Sequence, residues 1–265
     1  MSSIRLGSLR RTTVLASRLP RSVVSVAFLL LCSLSFPLYA EAAKYDIVIP
    51  STYSQPAFHD FSEQVGLAVA YLPLAPAEPL GLLGFDVGVE VTAVKIDQDE
   101  TFWTDLMTAG NSPPSYLALP KLHAQKGLPF GIDIGLVYAK VPSSNIGMIG
   151  GELKWAILKG TLATPALALR GSYTSLTGID HLDVSTYGAD VSVSKGIAFL
   201  TPYLGIGQVW IKSGSDAPGL NLQDESISAT RAFVGAKLSL LVLSLVAEAD
   251  FSKVPMYSLR ASLSF

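Results

Sequence analysis

Charge is what this 265-residue sequence has least of: 15% of its residues are Asp, Glu, Lys or Arg, where a soluble domain carries roughly 25%. With 49% hydrophobic residues and a mean hydropathy of +0.43, few groups remain to keep an ordinary surface in water. Disorder is excluded, because it requires low hydrophobicity and high net charge together. Cysteine is nearly absent. The one present, Cys32, lies in the N-terminal apolar stretch, so the rest of the chain has no disulfide and no thiol chemistry. Long apolar runs are also missing beyond that stretch. A membrane helix needs about 18 or more consecutive apolar residues, and the best uncharged run, Gly196 to Ile211, is broken by Pro202, Gly205, Gly207 and Gln208. The surplus hydrophobicity is therefore spread over many short segments.

Histidine is scarce as well, with three in the chain: His59, His123 and His181. No H-E-x-x-H, G-x-S-x-G or phosphate-loop spacing occurs, and no catalytic, cofactor-binding or metal-ligating set is predicted. His181, Asp183 and Ser185 stand two apart on one strand face, the nearest approach to a base beside a nucleophile. They read as a loop-edge cluster. An enzyme acting on lipid would have to use them.

The N-terminus has the build of a secretory signal. Arg5, Arg10, Arg11, Arg18 and Arg21 precede an apolar core from Val23 to Leu38, and Ala40-Glu41-Ala42 supplies the A-x-A cleavage pattern. Leu31 stands where a small residue should precede a lipidated cysteine, so Cys32 reads as part of the apolar core. The organisation predicted is a signal over 1–42, an N-terminal segment over 43–60 holding a short strand or helix, and a barrel over 61–265. Loss of the signal takes Lys+Arg from 19 to 14 and Asp+Glu from 21 to 20, a net charge of −6. That sign disfavours nucleic acid as a partner.

What the chain has in abundance is period-two alternation, the mark of strands with one apolar face. Tyr257, Leu259, Ala261, Leu263 and Phe265 alternate with Ser258, Arg260, Ser262 and Ser264; Phe85, Val87, Val89 and Val91 alternate with Asp86, Glu90 and Thr92. Eleven strand signals result, over 65–74, 81–96, 115–125, 129–141, 146–158, 164–175, 182–194, 198–212, 227–238, 241–250 and 255–265. A soluble β-sandwich binding an apolar ligand would bury the apolar faces against each other. A membrane barrel would turn them to lipid.

The connections separate these two. Lys126-Gly127, Lys159-Gly160, Lys195-Gly196 and the stretch from Ser239 to Leu241 are tight turns, and every second connection is longer, above all 97–114 and 213–226. This is the short-turn, long-loop asymmetry of a transmembrane barrel, with periplasmic turns and external loops. The fold predicted is a closed antiparallel transmembrane β-barrel of ten to twelve strands. Bacterial single-chain barrels have an even number, which favours twelve with Tyr45 to Pro50 as a short first strand; Phe58 to Gln64 reads as a turn of helix.

The ending Tyr257 to Phe265, an aromatic terminus preceded by apolar residues at every second position, resembles the last strand of Gram-negative outer-membrane β-barrel proteins. The stretches Lys126 to Gly131, Thr164 to Gly171 and Thr201 to Gly207 are similar to those of proteobacterial outer-membrane proteins of unassigned role. The resemblance covers about residues 58–265. It implies an outer-membrane location, surroundings of lipid and lipopolysaccharide, and delivery by the barrel-assembly machinery, with Phe265 as the terminal residue of its signal.

For the interior, alternation predicts seven acids, Asp86, Glu90, Asp133, Glu152, Asp190, Glu248 and Asp250, facing six bases, Lys121, Lys154, Arg170, Arg231, Lys237 and Arg260. A sign-selective channel would show an excess of one charge at its constriction. A near-balanced set suits charges paired across a narrow lumen. The functions compatible with this are a non-enzymatic, monomeric porin-like channel for small solutes or a structural envelope protein, with no cofactor. Thr101 to Ala109, carrying Phe102, Trp103, Leu106 and Met107, reads as a short helix in the long loop, able to plug the mouth, lie on the rim or anchor to lipopolysaccharide through divalent cations.

Overall fold

The computed structural model describes residues 53–97, 115–141, 146–219 and 221–265. The first element among the described residues is a helix, α1 (Gln55–Val69). Its start is set locally: Ser54 holds an extended backbone and its hydroxyl accepts from the Ala57 amide, while Pro56 sits in the first turn, where its missing N–H costs nothing. At Ala70 the chain leaves the helix and runs without regular structure, as a strap, to Gly84.

Ten strands follow: β1 (Phe85–Lys95), β2 (Tyr116–Gly127), β3 (Ile132–Lys140), β4 (Gly147–Lys159), β5 (Ala166–Thr177), β6 (Asp183–Ser194), β7 (Leu200–Gly214), β8 (Glu225–Leu240), β9 (Leu243–Phe251) and β10 (Met256–Ser264). Each pairs antiparallel with its neighbours in sequence, and β1 pairs with β10 to close the barrel. Closure leaves no free edge to recruit another chain. The seam is in full register, Glu90 opposite Arg260 and Val91 opposite Leu259, and continues past the strand ends through reciprocal backbone bonds between Phe85 and Phe265 of 3.2 and 2.9 Å.

Alternation decides what faces where. Outward go Val87, Val91, Leu122, Leu136, Leu153, Leu204, Val234 and Leu259, all well exposed, as an apolar belt. Aromatic residues border it at both ends. Tyr116, Tyr138, Tyr173, Tyr187, Trp210 and Tyr257 stand toward the long loops, and Phe85, Phe130, Phe199 and Phe265 toward the short turns. These are the two interfacial girdles of a membrane barrel.

Two expectations are corrected. The strand expected over 65–74 is the last part of α1 and the start of the strap, so the barrel has ten strands rather than the favoured twelve. The reason is burial along the second part of the helix: Phe61, Ser62, Val65, Gly66, Leu67 and Val69 are all buried, so residues 65–69 carry no exposed polar stripe to reveal a 3.6-residue period. The helical turn expected over 58–64 belongs to this longer helix. The sandwich alternative does not apply, because one closed sheet turns its apolar face outward. Tyr45 to Pro50 and the helix expected over 101–109 lie outside the described residues.

Candidate functional site

Ten strands enclose more space than side chains alone can fill; eight is about the number at which they suffice. The space here is taken by α1 and the strap, which run down the lumen from the loop end to the turn end. At the loop mouth, Gln55 bonds to Gln223 and to Glu225, and His59 Nδ1 lies 2.8 Å from Glu225 Oε2. Glu225 stands three residues beyond Ser228, the cross-strand partner of the girdle residue Trp210. The hydrogen bond from His59 holds the Glu225 carboxyl below its ordinary range. Deeper, Phe58 and Phe61 are fully buried, and Ser62 Oγ donates to Ser213 Oγ on β7 at 2.9 Å.

Two glycines make the fit possible. A Cβ on Gly66 would meet Ile211 Cγ2 of β7 at 2.4 Å, and one on Gly135 of β3 would meet the Tyr71 hydroxyl at 2.8 Å. Gly66→Val is therefore expected to destabilise the protein by about 1–3 kcal/mol through overpacking, read as a lower unfolding midpoint in detergent, whereas Ala68→Val, at a half-buried position, should shift it less.

The inner wall grips the strap by its backbone. Arg231 donates to the Tyr71 carbonyl at 2.7 Å, and the Leu74 amide donates to Glu248 at 3.0 Å. Lys154 donates to the Pro76 and Glu78 carbonyls, both at 3.0 Å, and the Leu80 amide donates to Asp133 at 3.2 Å. Glu78 in turn accepts from the Gly196 amide at 2.9 Å. A strap without regular structure has unpaired amides and carbonyls, each costly to bury. The wall supplies their partners.

The remaining contacts are ion pairs across the wall. Glu90 meets Lys121 at 3.1 Å, Asp133 meets Lys154 at 3.0 Å, and Glu152 meets Arg170 at 2.8 Å. Asp190 lies between Arg170 and Arg231 at 3.8 and 3.6 Å. Asp250 lies 3.7 Å from Arg231, and Asp86 lies 3.5 Å from both Lys237 and Arg260. Glu248 accepts from the Tyr203 hydroxyl at 2.7 Å. These acidic and basic side chains are buried or half-buried, each with an opposite charge or a hydrogen-bond donor beside it.

Four further residues complete the site without having been singled out for it: Tyr71, Glu78, His123 and Tyr203. His123, on the same face of β2 as Lys121 and Gln125, places Nε2 2.9 Å from the Tyr71 hydroxyl and Nδ1 2.9 Å from Arg260 and 3.1 Å from Glu90. Parity along β2 would have given its direction. Its partners come from elements far away in sequence.

The other sequence candidates are dispersed. His181 sits in the loop before β6 and bonds to Asp216 at 2.9 Å, while Asp183 and Ser185 project from the outer side of β6 near Lys212. At the mouth, His59, Asp60 and Glu63 each bring a ligand atom within 4.8 Å of the others, but Glu63 already holds Lys253 at 2.7 Å and His59 holds Glu225. Tyr257, Leu259, Ala261, Leu263 and Phe265 face outward beside the closing seam, where the rings of Phe265 and Phe85 lie 4.5 Å apart.

No protein-family model and no curated protein matches the sequence. Solved structures do. The attachment invasion locus protein Ail of Yersinia pestis, in complex with the heparin analogue sucrose octasulfate, is similar at 13% identity and a TM-score of 0.30, covering 69% of this chain and 97% of that chain. Neisserial surface protein A is similar at 11% identity and a TM-score of 0.29, covering 68% and 95%. Both are Gram-negative outer-membrane β-barrels. Likeness at this level carries no inference about ligand or activity.

Proposed function

We propose that this chain is an outer-membrane β-barrel closed by its own N-terminal segment, a non-enzymatic envelope protein that holds its external loops on a rigid wall. The observation that carries this reading is the strap bound along the lumen by Lys154, Arg231, Glu248 and Asp133. Lys154, Asp133 and Arg231 are paired within the chain, Glu248 accepts from Tyr203 and the Leu74 amide, and together they present no free path of one sign to a solute. The membrane part rests on the apolar belt between two aromatic girdles. The nine residues from Tyr257 to Phe265 fit the roughly 9–11 that a tilted strand needs to cross a bilayer.

In this reading the C-terminal strand is the assembly signal, the turn end faces the periplasm, and lipid with lipopolysaccharide surrounds the belt. Purified full-length protein should migrate heat-modifiably on a gel and give a flat current trace in planar bilayers. Reproducible stepwise conductance from the intact protein would overturn the closed reading in favour of a porin-like channel.

A further inference from the structure

The belt is not uniformly bulky. Along the rung Leu153, Gly171, Ala189, Gln208, Thr230, set by cross-strand register on β4 to β8, the two central outward positions are the smallest residues available. Nothing lies within 4 Å of where a Cβ on Gly171 would be. The rung above, toward the loops, carries Tyr173, Tyr187 and Trp210, with the two tyrosine rings 5.1 Å apart. The rung below carries Trp155, Leu169, Val191 and Ile206, all exposed. The result is a recess of about 480 Å³ in the outer wall, lined by Leu153, Gly171 and Ala189 with Trp155, Leu169, Val191 and Ile206 below them; the aromatic rung lies above it.

Beside the recess is an exposed polar pair. Thr230 Oγ1 donates to Gln208 Oε1 at 2.9 Å, and a carboxamide engaged through its oxygen still carries two N–H donors. This pair lies one rung inside the loop-side girdle, about 7 Å along the strand. That is the depth at which a lipid's polar region gives way to its chains.

We infer that this recess seats an ester-linked acyl chain of a membrane lipid in the loop-side leaflet, with its chain against Gly171 and Ala189 and its ester carbonyl at Gln208. The inference rests on the membrane reading above. An acyl chain fits better than a second barrel: the recess is a narrow depression bounded by Leu153, Trp155, Leu169 and Ile206, and the carbonyl acceptor answers the Gln208 donors. Small outward residues recur on the belt, among them Ala232 and Ala247, but among the described strands only Gln208 adds an outward carboxamide donor.

The test uses the full-length chain with Trp103 and Trp210 replaced by Phe, leaving Trp155 as the sole tryptophan of the three. It is placed in vesicles of ester-linked phosphatidylcholine with brominated chains, diluted stepwise with unbrominated ether-linked phosphatidylcholine, which lacks the carbonyls. Trp155 quenching should exceed the bulk mole fraction of the brominated lipid by about threefold, the scale of one net hydrogen bond. Gly171→Leu, which fills the recess, should return it to the bulk line. Gln208→Leu should do the same while leaving the backbone untouched, and keeps the test open if the glycine variant fails to fold.

Quenching that tracks bulk composition in the parent would overturn the inference and leave ordinary boundary lipid. A cross-linked dimer through β5 and β6 that Gly171→Leu abolishes would also overturn it, in favour of a second copy. Unquenched Trp155 in protein that stays in the aqueous phase would overturn the membrane reading itself, an outcome distinct from the other two.

Discussion

Deleting residues 53–80 should turn a silent protein into a conducting one. The barrel closes through ten backbone ladders, and none of them includes the helix or the strap, so the wall is expected to assemble without them. What the deletion removes is the filling. Phe58, Phe61, Leu67 and Leu74 are all essentially fully buried, and each contributes about 1.5–3 kcal/mol of burial; the shortened chain should therefore melt earlier, although it remains a closed barrel.

The exposed interior would carry the charges that had gripped the strap, and water would enter to solvate them. Planar bilayers should then show stepwise current, and liposomes should pass small neutral sugars that the parent retains. The near balance of acids and bases predicts weak preference between cations and anions. A deletion variant that keeps heat-modifiable migration yet gives a flat trace would show that the wall charges close on each other, and the strap would lose its role as the seal.

The outward face of β10 was legible because Tyr257, Leu259, Ala261, Leu263 and Phe265 alternate against serines and an arginine, and alternation is a local property. The inward direction of Lys121 or Asp133 followed from the same parity. Helix α1 was not legible over 65–74 because Val65, Leu67, Val69 and Tyr71 also fall at every second position. A segment buried on all sides has no polar stripe to break that tie. Ser54 and Pro56 were the available clue, a cap followed by proline in the first turn.

Partners were a different matter. Nothing near Lys154 in the chain announces that it reaches Pro76 and Glu78, because the contact spans 78 and 76 residues and exists only once the barrel has closed around the strap. A polar inward face was legible; whether water or protein filled the space behind it was not.

Lys154→Met should be among the most damaging single changes in the wall. The ammonium is almost completely buried, as is the Asp133 carboxylate 3.0 Å away, and it also serves two strap carbonyls. Methionine preserves much of the volume but leaves a buried carboxylate and two carbonyls without their donor. Breaking a buried pair from one side costs about 3–5 kcal/mol, which should appear as a large fall in the unfolding midpoint. By contrast Lys253→Ala removes a partner of Glu63 from a lysine whose side chain is 72% exposed, and surface pairs are worth about 0–1 kcal/mol.

The second half of the cycle separates paired charge from simple filling. Adding Asp133→Asn to Lys154→Met neutralises the stranded carboxylate and retains a side-chain oxygen for the Leu80 amide, so the double variant should recover a good part of the loss. What it cannot recover is the pair of bonds to Pro76 and Glu78. The residual deficit therefore measures how strongly this one side chain holds the strap in the lumen. Additive losses in the two single variants would mean that Lys154 and Asp133 act independently, and the charge grip would not be what keeps the barrel shut.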